Sequence, residues 1–269
     1  MLHIEIGIDP VIAQIGPLTL RWYGLAIAVS IIIAVVITRR ELLRRGIYPT
    51  NYDTLVFWTV VGGILGARLF HVLDYPERFI ENPLKIFAFQ EGGLAIYGAV
   101  TGGFLSVAIL SRTFQLPFLQ LVDSIAPGLV LAQAFGRFGC IVNGDAWGAP
   151  TNSPFAFVYT NPKALLPRDL LNVPTHPYPV YDMALNLAVF VVLWQLRKRQ
   201  MPPGTLFATF VALYAAGRFV ISFVRQERIW FWGLQEAQVV AIVALLAALV
   251  TLAWLRWLRQ AAPASAAGD

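Results

Sequence analysis

The sequence predicts an all-α polytopic membrane protein, with seven transmembrane helices, a small periplasmic head and interfacial arms. Three observations carry this expectation. The 269 residues are 58% hydrophobic and 13% charged, with a mean hydropathy of +0.65, whereas a soluble domain carries about a quarter charged residues. Seven apolar stretches have close to the 20 residues or so that a helix needs to cross about 30 Å of hydrocarbon. Between those stretches, the basic clusters fall on one side of an alternating seven-span path.

The spans are expected at 18–38, 54–74, 93–111, 117–136, 179–196, 205–224 and 236–256. Arg39, Arg40, Arg44 and Arg45 follow the first, Arg112 the third, Arg197, Lys198 and Arg199 the fifth, and Arg256 and Arg259 the seventh. By the positive-inside rule that side is cytoplasmic, which places the N-terminus outside and the C-terminus inside. Six or eight spans would split the clusters across both faces. The chain then divides into an N-terminal periplasmic arm (1–17), spans one to four (18–136), a periplasmic head (137–178), spans five to seven (179–256) and a cytoplasmic tail (257–269).

Residues 1–17 alternate apolar and polar and suit a short strand or an interfacial arm. Residues 75–92, with Pro76 and Pro83, read as a second interfacial arm, and the alanine-rich tail from 261 reads as disordered. The N-terminus lacks the basic stretch and apolar core of a cleaved signal peptide. Gly62/Gly66 and Gly98/Gly102 have the spacing that lets helices approach closely. Cys140 is the single cysteine, which excludes an internal disulfide framework and a multi-cysteine metal site. No cofactor, metal or nucleic acid is called for, and a monomer suffices.

Ionisable residues inside a span cost at least about 2.5–3.5 kcal/mol on insertion scales and are functional candidates for that reason. Arg68 lies late in the second span, Arg137 where the fourth emerges, and Arg218 in the outer half of the sixth. Tyr23 and Tyr97 lie near the outer ends of the first and third, and His176 and Asp182 flank the fifth. All fall at one expected depth. Arginine forks match phosphate oxygens in a bidentate way, and phospholipid phosphates lie at that depth, so the cluster is expected to grip a lipid head group. Anchoring at the interface is the ordinary role of such residues, but Arg218 sits too far inside its span for that alone.

A more specific signal is Gly136-Arg137-Phe138-Gly139-Cys140-Ile141-Val142-Asn143-Gly144-Asp145-Ala146-Trp147-Gly148. It resembles the signature of the prolipoprotein diacylglyceryl transferases, approximately G-R-x-G-N-F-x-N-G-E-x-W-G. Further matches run in the family's order: Arg21-Trp22-Tyr23-Gly24, Gly66-Ala67-Arg68-Leu69, Gly92-Gly93-Leu94, His176-Pro177 with Tyr181-Asp182, Tyr214 and Gly217-Arg218-Phe219 to Arg225, and Gly233-Leu234 with Gln238. The resemblance implies a seven-span transferase of the bacterial inner membrane. Such enzymes move the diacylglyceryl group of phosphatidylglycerol onto the lipobox cysteine of a prolipoprotein signal peptide, forming a thioether and releasing glycerol phosphate.

That chemistry needs a thiolate, a stabilised phosphate leaving group and little water. Arg137 and Arg218 suit the departing phosphate, and their field would favour the thiolate of an incoming cysteine. Asn143 and Asp145 are expected to orient Arg137 or bond head-group hydroxyls, although Asn-Gly-Asp is also strong turn chemistry. Tyr23, His176, Arg68 and Arg225 complete the expected substrate-binding set. Two of the departures from the family pattern bear on the chemistry. Cys140 replaces an asparagine, and Tyr97 stands where many members carry a histidine proposed as catalytic base. A tyrosine, with an ordinary pKa near 10, is a poor base near neutrality. Either the base lies elsewhere, with His176 a candidate, or position 97 binds; the weight of catalysis then shifts to Arg137 and Arg218. A lipid transporter or flippase using the same arginines, and an inactive scaffold, are the competing readings. In purified protein, Tyr97→Phe is expected to retain far more transferase activity than Arg137→Ala; equal losses would overturn the electrostatic reading.

Overall fold

The computed structural model describes residues 3–16, 18–88, 92–227 and 229–261. Its elements run β1 (Ile4–Ile6), β2 (Val11–Ile15), β3 (Leu18–Arg21), α1 (Trp22–Arg44), α2 (Tyr52–Asp74), α3 (Glu77–Ile80), α4 (Ile96–Thr113), α5 (Phe118–Asn143), β4 (Phe157–Tyr159), α6 (Tyr178–Leu196), α7 (Thr205–Ile221), β5 (Ile229–Phe231), β6 (Leu234–Gln235) and α8 (Glu236–Ala261). Among the described residues, six helices are long and apolar enough to cross a bilayer: α1, α2, α5, α6, α7 with its extension to Val224, and α8. Helix α4 covers the remaining expected span, but its 18 residues are diluted by Gly98, Gly102, Gly103 and several hydroxyls. Large aliphatic side chains such as Ile32, Leu65, Val191 and Val250 stay exposed, the surface that lipid covers rather than water.

The all-helical expectation holds for the body of the chain, with three small two-stranded sheets added at its edges among the described residues. Residues 18–21, expected to open the first span, instead form β3, which pairs antiparallel with β2 through a turn containing Gly16 at φ +58°. The arm is therefore a hairpin that leads straight into α1. The fourth expected span also changes. It continues past 136 to Asn143, so Arg137 and Cys140 sit on helix turns rather than in the head. Gly144, at φ +71°, ends that helix in the left-handed conformation that glycine adopts without steric cost. The tail expected to be disordered lies outside the described residues from 262 onward.

The chain forms two compact units, Arg39–Leu121 and the combination of Met1–Thr38 with Val122–Asp269. In the first, α2 and α4 meet through the expected glycine pairs. A methyl group built on Gly66 would lie 2.9 Å from the Cα of Gly102, and one on Gly98 would fall 2.8 Å from the carbonyl carbon of Gly66. Both neighbours are backbone and cannot swing aside. The small residues are there because the two helix backbones touch.

In the second unit α5 is the central element. Gly128, Gly136 and Gly139 form one stripe on it that receives α1: a Cβ on Gly128 would lie 2.8 Å from the Ala34 carbonyl oxygen, and one on Gly139 would lie 2.9 Å from the Ala26 methyl. The opposite side of α5 packs into a core with α6 and α7, where Ala126, Val130, Val189, Leu193, Leu206 and Phe210 are buried. Asp123 of α5 accepts the backbone N–H groups of Gly204 (2.9 Å) and Phe207 (2.8 Å), satisfying donors that the first turn of α7 would otherwise leave open.

Between α5 and α6 a small head closes over Ile6, Phe157, Tyr159, Leu166 and Leu170. Strand β1 joins it, parallel to β4, with Ile4 opposite Phe157 and Ile6 opposite Tyr159. Lys163 also forms an ion pair with Asp9. That hydrogen bond, with one from the Val11 N–H, holds the Asp9 carboxyl below its ordinary range, so the contact is complete at neutral pH and is lost as pH falls through that lowered value. Gly66→Ala is expected to destabilise the protein by about 1–3 kcal/mol, the usual cost of forcing a methyl into a filled contact. Thermal unfolding in detergent measures it, and an unchanged midpoint would show that α2 and α4 do not depend on this contact.

Candidate active site at the ends of helices α5, α6 and α7

Helix α5 presents Arg137 and Cys140 one turn apart. The Arg137 Nε donates to Oδ2 of Asp182, on the first turns of α6, in a short ion pair. Asp182 is fully buried, while the Arg137 side chain keeps 21% of its surface open. The guanidinium therefore has one edge on its counter-charge and remains reachable. Its Nη1 lies 3.6 Å from the Cys140 sulfur, and the Tyr214 hydroxyl of α7 lies within electrostatic reach of it. Three helices thus meet on one cation.

A second polar group lies beside it. Asn143 Nδ2 donates to Asp145 Oδ2 at 3.0 Å, and Tyr23 and Tyr159 both lie within electrostatic reach of Asp145 and Cys140. Tyr159 belongs to the head, where burial above all pushes its phenol well above the ordinary tyrosine value; it stays a proton donor at any physiological pH. The Asn143 Oδ1, Asp145 Oδ1 and Tyr159 hydroxyl are buried without a hydrogen-bond partner among the described residues. Buried polar atoms are nearly always satisfied, and two acceptors with one hydroxyl suit a ligand that brings its own donors, such as a polyhydroxy group.

Arg218 and Arg225 form the third part. Both guanidinium groups lie over the ring of Tyr178, at 5.3 and 4.9 Å, and both reach Oε1 of Glu227, at 3.1 and 2.8 Å. Tyr178 is itself buried against Cys140 and Ala146. The pair of arginines and Arg137 are therefore held on either side of one small core. Close packing maintains this: a Cβ on Gly148 would lie 2.6 Å from the His176 Cβ and 3.0 Å from the Val224 carbonyl oxygen. Next to Tyr23 an apolar groove of about 230 Å³ runs between α1 and α5, past Trp22, Leu25, Phe135 and Phe138.

The structure thus brings Tyr23, Arg137, Asn143, Asp145, Arg218 and Arg225 into one region. His176 borders it, its Nδ1 3.3 Å from the Tyr181 hydroxyl. Arg68 and Tyr97 belong to the other unit. There Arg68 is buried, and its guanidinium donates to the carbonyls of Ile86 (2.9 Å), Gly92 (2.7 Å), Gly93 (3.1 Å) and Lys85. It ties down the arm after α2. Tyr97, on the first turn of α4, keeps 37% of its surface exposed. Sequence reasoning missed Tyr178 and Glu227, and gave Asp182 only a place beside a span. A carboxylate two residues after Arg225, in the polar run Arg225-Gln226-Glu227 that closes an apolar span, was the available signal for Glu227; nothing local marks Tyr178.

Because removing one partner of a buried ion pair leaves an uncompensated charge, Arg137 and Asp182 are expected to be coupled. A double-mutant cycle of Arg137→Gln and Asp182→Asn in thermal unfolding should return an interaction of about 0.5–3 kcal/mol. Strictly additive losses would show that the pair holds nothing together.

With this geometry in place, comparison with known proteins is informative. A profile described as prolipoprotein diacylglyceryl transferase matches residues 10–254. A protein of Nostoc sp. (strain PCC 7120) is 37% identical over 239 residues, covering 86% of this chain and 84% of its own. One from Symbiobacterium thermophilum is 38% identical over 240 residues, covering 87% and 88%. A third, from Halalkalibacterium halodurans, is 35% identical over 236 residues, covering 87% and 82%. Each of the three is named phosphatidylglycerol–prolipoprotein diacylglyceryl transferase. The match spans both units and all the site residues above, and the chain belongs to the prolipoprotein diacylglyceryl transferase family.

Proposed function

We propose that this protein transfers the diacylglyceryl group of phosphatidylglycerol to the lipobox cysteine of prolipoproteins, at the α5–α6–α7 site. The observation that carries the reading is the set of three arginines, Arg137, Arg218 and Arg225, gathered around the buried Cys140–Tyr178 core beside an apolar groove. Phosphatidylglycerol has both features to match, an anionic phosphate and acyl chains. The groove past Trp22 and Phe138 takes a chain, while Asn143, Asp145 and Tyr159 meet the glycerol hydroxyls.

In the reaction the substrate cysteine sulfur attacks the glyceryl carbon that bears the phosphate ester. The carbon–sulfur bond forms as the carbon–oxygen bond breaks, the electron pair leaves with glycerol phosphate, and the thiol proton is balanced on that leaving group. Negative charge grows on the departing phosphate. Arg137 and Arg218 supply N–H forks and positive charge where it grows, which is the kind of term that dominates such steps. The same field favours the thiolate form of the incoming cysteine. Asp182 keeps Arg137 pointed while leaving its outer edge available, and Glu227 does so for Arg218 and Arg225. Tyr23 and His176 border the substrate, Arg68 acts by holding the arm after α2, and Tyr97 is assigned no proton abstraction.

In this reading the protein lies in the inner membrane with its N-terminus outside, which the one-sided distribution of Arg39, Arg40, Arg44, Arg45, Arg197, Lys198, Arg199, Arg256 and Arg259 supports. The site, at the α7 end away from Arg199, then faces outward. The lipid-translocating alternative draws no support from the relatives. Incubating purified protein with phosphatidylglycerol and a lipobox peptide is expected to add a diacylglyceryl mass to the peptide. Arg218→Lys should lower the rate at least tenfold, because a point charge lacks the bidentate fork. Peptide left unmodified while lipid crosses a vesicle membrane would overturn the transferase reading.

A further inference from the structure

The far end of α7 carries a basic pocket that the transferase site does not use. A cavity of about 500 Å³ opens where the end of α6, the start of α7 and the last turns of α8 meet. Arg199, Arg256 and Arg259 line it, above Thr205 and Thr209 and against an apolar wall that includes Leu252. Thr205 and Arg218 are separated by 13 positions of one helix, about 20 Å at 1.5 Å per residue. The two arginine groups are therefore distinct sites within the same unit.

Arginines at this end of a span ordinarily spread into water. These three converge on one concavity instead. None of them pairs with a carboxylate among the described residues. The nearby Asp123 accepts the backbone N–H groups of Gly204 and Phe207. The Thr205 hydroxyl is buried with no hydrogen-bond partner among the described residues, while the Thr209 hydroxyl donates to the Thr205 carbonyl at 2.8 Å. Three planar guanidinium forks and a hydroxyl around a cavity of this size suit a tetrahedral oxyanion. Basic pockets between membrane helices are also where anionic head groups settle, and the apolar wall continues onto lipid-facing helix surface.

We propose that this pocket is a second phosphate site, apart from the transferase centre, taking the phosphate of an anionic phospholipid head group or of a soluble phosphate. Native mass spectrometry of the detergent-purified full chain, titrated with phosphatidylglycerol, tests it. The triple variant R199Q/R256Q/R259Q is expected to retain one fewer phosphatidylglycerol than wild type. The same difference is expected in an R218Q background, where the transferase site is already weakened, so the result does not depend on how that site is read. In a parallel arm without lipid, inorganic phosphate is added during thermal unfolding. A rise in the midpoint of wild type that the triple variant lacks identifies a soluble phosphate as sufficient; retention of lipid without that rise identifies the lipid. Equal lipid counts in both backgrounds, together with equal response to inorganic phosphate, overturn the proposal.

Discussion

The contact between Arg137 and Asp182 organises the site more than any other. A guanidinium carried on α5 meets a fully buried carboxylate on α6, with Tyr214 of α7 within electrostatic reach of the same cation. Burying two charges is costly, and their attraction offsets that cost only when the geometry is good and the remaining hydrogen bonds are filled. Such a pair is weak as a source of net stability and strict about position. If α5 turned or slid, the carboxylate would stay buried without a counter-charge. The registry of α5 against α6 is therefore tied to one side chain, and that side chain is the one the proposed reaction uses.

Backbone packing makes the pair reachable. The glycine stripe of α5, at 128, 136 and 139, brings α1 against it closely enough that Tyr23 lies beside Cys140. Gly148 lets the chain leaving the head press on His176 and Val224, which places the segment carrying Arg225 and Glu227 over Tyr178. Gly128, Gly139 and Gly148 thus serve the arginines: each allows an approach that a methyl group would prevent. Glu227 completes the arrangement by accepting from Arg218 and Arg225 together, which holds two like charges side by side.

In the proposed reaction this yields an electrostatic division of labour. Cations sit around the phosphate, an apolar groove lies beside them, and the buried polar atoms of Asn143, Asp145 and Tyr159 face the head group. A tyrosine at position 97 is consistent with a site whose power comes from charge placement, since stabilising a departing phosphate does not require a neutral base at that position. The basic pocket at the opposite end of α7 uses the same guanidinium chemistry without a neighbouring carboxylate partner, and so suits holding an anion rather than assisting its departure.

The membrane class, the approximate places of the long helices and the family were all legible in the sequence, because apolar length, charge asymmetry and a thirteen-residue signature are local properties. Arg137 and Arg218 could be picked out because charge inside an apolar run stands out wherever it ends up, and Asn143 and Asp145 because they belong to that signature. What the sequence could not determine was pairing. That residues 18–21 form a strand depends on β2 lying alongside. That Arg68 meets four or more carbonyls of the following arm depends on how that arm folds back. Asp182 meets Arg137, and Tyr178 and Glu227 meet Arg218, across 45, 40 and 9 positions respectively. Helix periodicity fixes which residues share a face, but ion pairs, ring contacts and close glycine approaches between helices are set by three-dimensional packing alone.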